Sequence, residues 1–155
     1  MAATESKEMI KMFISANKNG LREYFKSITK AMHRRPCLVI MQVGDNKASE
    51  SYIKGKVKDG EEMGVDMVVK RYADTIASHA LREEIYKCND DPNVDAVMLQ
   101  LPIPERMDVG VLMDRINVAK DVDGFNTRSM CYPCTPLGIM AFLNALGIEM
   151  EGKNA

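Results

Sequence analysis

Tyr52 and Lys56 stand four residues apart in the run Ser49-Glu50-Ser51-Tyr52-Ile53-Lys54-Gly55-Lys56. On a helix that spacing puts the phenol and the ammonium on one face. An aromatic plate beside a cation is a floor for a flat, polar heterocycle, and a partly desolvated lysine exchanges protons near neutrality. The opposing reading is a solvated helix face, because Lys47, Lys54 and Lys58 lie close by, with Tyr52 a core aromatic whose hydroxyl reaches water. Gln100, in Leu99-Gln100-Leu101-Pro102-Ile103-Pro104, is a second candidate. A buried amide without partners costs about 1–3 kcal/mol, so Gln100 either bonds backbone or serves a site, and the two prolines fix the loop that follows. Lys120-Asp121-Val122-Asp123-Gly124-Phe125 is a charged turn. Its carboxylates can accept hydrogen bonds from an amino-substituted heterocycle, as acidic side chains do from base edges; the alternative is an exposed Asx turn.

These groups need elements to carry them. Asn17, Asn19 and Gly20 interrupt the first helical stretch, which predicts two helices, about 5–17 and 20–32. The second is expected to turn Leu21, Tyr24, Phe25 and Ile28 inward and to end before Pro36. Runs rich in Val, Ile, Leu and Met at 37–43, 65–72 and 96–101 read as strands, two of them continuous enough to be parallel and covered on both faces. Helical segments at 48–63, 78–88, 109–116 and 136–146 alternate with or follow them, which is the α/β pattern. Ligands of open α/β sheets collect beyond the carboxyl ends of the strands, where the segments 44–51, 100–104 and 120–125 fall.

The chain has 155 residues, 46% of them hydrophobic, enough for one domain with a sizeable core. A net charge of -1 gives no field favouring nucleic acid or an anionic membrane. Its apolar runs are far shorter than the roughly 20 residues of a membrane span, and the N-terminus has no basic region followed by an apolar one. A soluble, cytoplasmic protein is expected. Cys37, Cys88, Cys131 and Cys134 read as reduced thiols. The C-x-x-C at Cys131 and Cys134 lacks two further metal ligands, so no metal site is assigned. Pro133 and Pro136 suggest that this pair sits in a turn and not at the helix start that a redox pair requires.

Taken in order, Gly44-Asp45-Asn46 with Ala48-Ser49 and Ser51-Tyr52, then Lys56, then Gln100-Leu101-Pro102-Ile103-Pro104, then Lys120-Asp121-Val122-Asp123-Gly124-Phe125, then Pro133-Cys134-Thr135-Pro136 and Gly138 resemble the signatures of the methylenetetrahydrofolate dehydrogenase/cyclohydrolase family. The resemblance covers about residues 21–155 and implies that family's catalytic, folate-binding domain. The expected fold is a three-layer α/β/α domain with a mostly parallel sheet, lacking the Rossmann NAD(P)-binding domain of the family. It divides into an N-terminal helical segment 1–20, the folate-binding unit 21–148, and 149–155 as the start of a linker.

By resemblance Tyr52 stacks on the folate, Lys56 is the main catalytic residue, Gln100 supports Lys56 and Asp123 holds the pterin. Ser49, Leu99, Leu101, Pro102 and Gly124 complete the implied substrate-binding set. The implied chemistry is oxidation of 5,10-methylenetetrahydrofolate with NAD(P)+ and hydrolysis of 5,10-methenyltetrahydrofolate to 10-formyltetrahydrofolate. NADP or NAD is expected for a full-length member. With no cofactor-binding residue in this chain, it is expected to bind neither by itself, which puts its dehydrogenase step in question.

Beside the family pattern the sequence has a short stretch between Phe125 and Pro133 and no opening strand with an Asp-Gly turn, and it is expected to lack the family's last helix. An apolar face left uncovered by that helix is expected to drive homodimer formation or other self-association. Two other functions remain open at this point, a folate-binding module without catalysis and a domain of the amino-acid dehydrogenase type. The second would lack the pairing of Tyr52 and Lys56 with Gln100.

Overall fold

The computed structural model describes residues 2–152, and for 2–14 and 16 the backbone alone. The elements are α1 Ala2–Ala31, β1 Cys37–Val43, α2 Lys47–Glu62, β2 Asp66–Tyr72, α3 Ser78–Asp90, β3 Ala96–Gln100, α4 Val109–Met113, a 3-10 turn Val118–Lys120 and α5 Cys134–Ala145. The strands form one parallel sheet in the order β2-β1-β3. Each crossover between parallel strands needs a long connection, which α2 and α3 supply here.

Alternation along the strands sorts their side chains to two faces. Val39, Met41, Val43, Val97 and Leu99 pack with Leu81, Ile85 and Cys88 of α3 and with Leu112 and Met113 of α4. Ile40 and Met98 pack on the opposite face with Ile53 and Val57 of α2. The sheet is thus sandwiched between helices, as a three-layer α/β/α fold requires.

Two sequence expectations change. The break at Asn17, Asn19 and Gly20 does not occur, and α1 runs through as one helix. A helical glycine costs only about 1 kcal/mol relative to alanine. Ion pairs clamp the helix at this point, Lys18 to Asp59 at 2.9 Å and Arg22 to Asp59 and Glu62 of α2. Those polar groups, with Thr29 Oγ1 donating to the Met63 carbonyl at 2.6 Å, occupy the side of α1 that meets α2. Leu21, Tyr24, Phe25 and Ile28 are therefore exposed and not turned inward.

The second change concerns Cys134, which is the first residue of α5 with Pro133 as its cap. Pro136 falls within the first helical turn, where a missing N–H is tolerated, so the two prolines frame a helix start and not a turn.

Candidate functional site

Local signals place α2 over the carboxyl ends of the strands. Gly44 leaves β1 with φ 79°, and the Asn46 side chain caps α2 by accepting from the Ser49 amide at 3.0 Å. From that start Tyr52 and Lys56 fall one turn apart on the same face. Tyr52 is 69% exposed, its ring open to solvent and not part of the core. Lys56 is half-buried and leans down to the sheet. Its Nζ donates to Gln100 Oε1 at 3.3 Å and lies 3.7 Å from Met98 Sδ.

Gln100 ends β3 on the same face as Met98, and its Nε2 donates to the Leu101 carbonyl at 2.7 Å. That bond turns the amide oxygen towards Lys56. The Leu101 carbonyl also accepts from Ser49 Oγ at 3.2 Å, which ties α2 to the loop after β3. Leu101 and Pro102 are exposed and joined by a cis peptide bond.

The remaining acidic turn is built around Asp121. It is buried, bridges to Val97 of β3, and accepts from the amides of Gly124 and Asn126, each at 3.1 Å. The turn is therefore organised around an internal carboxylate and is not the exposed Asx turn of the alternative reading. Lys120 staples it in place, its Nζ donating to the carbonyls of Cys88 at 2.9 Å and Asp91 at 2.8 Å. Gly124 has φ 71°, and a Cβ there would stand 2.5 Å from the Cys131 carbonyl oxygen, so this position has room only for glycine.

With Asp121 anchored, Asp123 projects half-buried towards Lys56. Burial pushes its carboxyl above the usual range, the Lys56 charge opposes that, and Asp121 adds to it. Such a carboxylate gains from donors that a ligand brings.

The structure brings Tyr52, Lys56, Gln100 and Asp123 to one end of the sheet. Ser49 is buried and bonded to the Leu101 carbonyl, and Leu99 points into the core on the α3 side, so each shapes the site through backbone and packing. Sequence reasoning passed over Gln42, although it is the one amide in an otherwise apolar strand. It also passed over Glu50, which accepts from Arg71 Nε at 3.2 Å.

Beside the site an open, largely apolar groove of about 790 Å³ runs between α1, α2 and α5, with Leu21, Phe25, Met63, Ile139 and Phe142 among its walls. Cys134 lies where the groove meets the site, its thiol near the Val122 carbonyl at 3.5 Å and pushed up by burial and by Asp123. Cys131 and Cys134 are free thiols, and among the described residues no cluster of three His, Cys, Asp or Glu groups is placed to hold a metal. No described helix is long and apolar enough to cross a membrane.

The model of the tetrahydrofolate dehydrogenase/cyclohydrolase catalytic domain matches residues 7–123, starting earlier than the expected 21. Bifunctional protein FolD of Nitratiruptor is 32% identical over 147 residues, covering 89% of this chain and 52% of that protein. FolD of Variovorax paradoxus is 38% identical over 135 residues, covering 81% and 48%. The crystal structure of the bifunctional FolD dehydrogenase/cyclohydrolase from Campylobacter jejuni superposes with a TM-score of 0.80 at 34% identity, covering 89% of this chain and 54% of that one. The Trypanosoma brucei enzyme, solved with NADP cofactor and inhibitor, shares the fold with a TM-score of 0.79 at 22% identity, over 89% and 52% of the two chains. The chain spans about half the length of the curated relatives it matches. By sequence and by fold, it belongs to the tetrahydrofolate dehydrogenase/cyclohydrolase family, as that family's catalytic domain.

Proposed function

We propose that the chain carries the folate site of one-carbon metabolism and that its own residues perform the hydrolysis of 5,10-methenyltetrahydrofolate to 10-formyltetrahydrofolate. The observation that carries this reading is Lys56 Nζ held 3.3 Å from Gln100 Oε1 beside half-buried Asp123, with the Tyr52 ring exposed one turn away.

Tyr52 stacks on the flat part of the folate, and Asp123 accepts from the pterin's N–H groups. Ser49, Leu99, Leu101, Pro102 and Gly124 shape the cleft around them. Water adds to the methenyl carbon and loses a proton. The bond from that carbon to N5 then breaks, N5 takes a proton, the hydroxyl becomes the formyl carbonyl, and one proton leaves to solvent. Lys56, acting from its neutral amine form, takes the proton from the attacking water and delivers one to N5, and Gln100 sets the side from which it approaches.

Oxidation of 5,10-methylenetetrahydrofolate needs NAD or NADP as hydride acceptor. The turn that leads into α2 does not fit such a dinucleotide. The strand-to-helix turn Gly44-Asp45-Asn46 carries a carboxylate, and the helix behind it is already capped by Asn46. The hydride step is therefore not assigned to these residues.

Because α1 runs unbroken through residue 20, the folate unit is proposed to include this helix and to extend to residue 148, before 149–155, in a cytoplasmic setting. The exposed apolar side chains of α1 support self-association, which sedimentation velocity reads directly.

The central test is Lys56→Ala, assayed by loss of methenyltetrahydrofolate with calorimetric titration of a folate analogue on the same sample. Hydrolysis is expected to fall to background while the thermal unfolding profile is kept. Undiminished hydrolysis refutes the role of Lys56. Analogue binding by the unsubstituted chain without hydrolysis above background reduces the site to a binding module.

A further inference from the structure

On the α2 face of the sheet, the carboxyl ends of the three strands place Arg71, Gln42 and Gln100 in register, Gln42 in the middle. Matched residues of neighbouring strands project side by side. The two flanking residues are engaged with α2, since Arg71 donates to Glu50 at 3.2 Å and Gln100 accepts from Lys56 at 3.3 Å. Gln42 is not. It is 2% exposed, and neither its Nε2 nor its Oε1 has a hydrogen-bond partner among the described residues. Its side chain lies near enough to Glu50 to help Arg71 hold that carboxyl below its ordinary range, without coming within ordinary hydrogen-bond distance of it.

A buried amide with both ends unpartnered is rare and calls for a state in which it is used. That state follows from the proposed chemistry, on which this inference rests. When Lys56 turns from Gln100 to the substrate, Gln100 Oε1 loses its donor. Gln100 Nε2 stays on the Leu101 carbonyl, so the oxygen keeps facing the same side. Met98, Ile40 and Ile53, which pack together on this face of the sheet, offer no N–H or O–H from their side chains. The nearest unused donor in the row is the amide of Gln42. We propose that Gln42 is a positioning residue, whose Nε2 replaces Lys56 on Gln100 Oε1 during the proton transfers and holds that amide for the return of Lys56.

A residue of this kind gives a signature that a structural amide does not. Gln42→Met keeps the length of the side chain and removes both polar ends. Because the amide is unpartnered in the resting protein, the melting temperature is expected to stay level or rise. The kcat for methenyltetrahydrofolate hydrolysis is expected to fall roughly five- to tenfold, the worth of one hydrogen bond, with KM held within about twofold.

A lowered melting temperature shows a structural bond, to Glu50 or to a buried water, and overturns the proposal. So does a kcat within about twofold of the unsubstituted chain, or a loss confined to KM. Lys56→Ala measured alongside separates the levels. If it is inactive and Gln42→Met is normal, only the role of Gln42 falls. If Lys56→Ala turns over normally, or the unsubstituted chain shows no turnover, the hydrolytic reading of the site fails and this inference fails with it.

Discussion

Replacing Gly124 by alanine should damage the fold and the site together. Two costs combine. At φ 71° an alanine loses about 1–2 kcal/mol relative to glycine for the left-handed conformation alone. In addition the new Cβ would stand 2.5 Å from the Cys131 oxygen, 2.8 Å from the Tyr132 carbonyl carbon and 2.9 Å from the Pro133 nitrogen. All three are backbone atoms, so relief requires the strap into α5 to move, an overpacking cost of about 1–3 kcal/mol.

Gly44→Ala is the matched control. Its φ of 79° imposes the same conformational cost, but its nearest new neighbour is Asp74 Cβ at an ordinary 3.5 Å. Urea unfolding should therefore rank Gly124→Ala below Gly44→Ala by about 1–3 kcal/mol, or roughly 2–12 °C in melting temperature. Because the Gly124 amide donates to Asp121, the displacement passes to Asp123, and affinity for a folate analogue should drop by about tenfold or more. Equal stabilities for the two variants would refute the claim that the 131–133 backbone closes on Gly124.

Gly55 lies in the middle of α2, exposed, and a Cβ added there would meet nothing within 4 Å, so Gly55→Ala should raise urea stability by about 0.5–1 kcal/mol; a loss would mean that this face is covered. Lys120→Met removes the ammonium from two carbonyls around the end of α3 and should lower stability by about 2–3 kcal/mol, read as a shift of the urea midpoint, and an unmoved midpoint contradicts the staple. The raised carboxyl of Asp123 predicts two pH effects. Between the ordinary aspartate value and its own, the native state holds more protons than the unfolded chain, so stability falls as pH rises through that window. Over the same window affinity for a folate analogue should rise with pH as the accepting carboxylate forms, and Asp123→Asn should flatten both trends in calorimetry and thermal melts.

The periodicity of the chain determines a good deal without tertiary information. The strand at 37–43 has the bounds read from its apolar run, and the other two strands differ from their runs by a single residue at one end. The spacing of Tyr52 and Lys56 puts both on one face of α2, because helix geometry is local. Gln100 and Asp123 stand out as polar groups at the ends of buried segments, which is a property of sequence position.

Interactions between distant residues decided the rest. No local signal shows that Asp59, 37 residues beyond Arg22, holds α1 straight through Gly20, nor that the polar side of that helix is the one that packs. The helix start at Cys134 is not legible from its neighbours, because proline breaks a helix interior but is tolerated in a first turn, and the sequence does not say which turn it occupies.

Gly124 is required by a backbone that arrives from residues 131–133, and Lys56 gains its partner from a strand 44 residues away. Gln42 shows the difference most sharply. As a residue it is only a lone amide in an apolar strand; the register with Arg71 and Gln100 leaves it buried without a partner among the described residues. Periodicity sets which face a side chain takes, but burial and hydrogen-bond satisfaction depend on what the other elements place against that face.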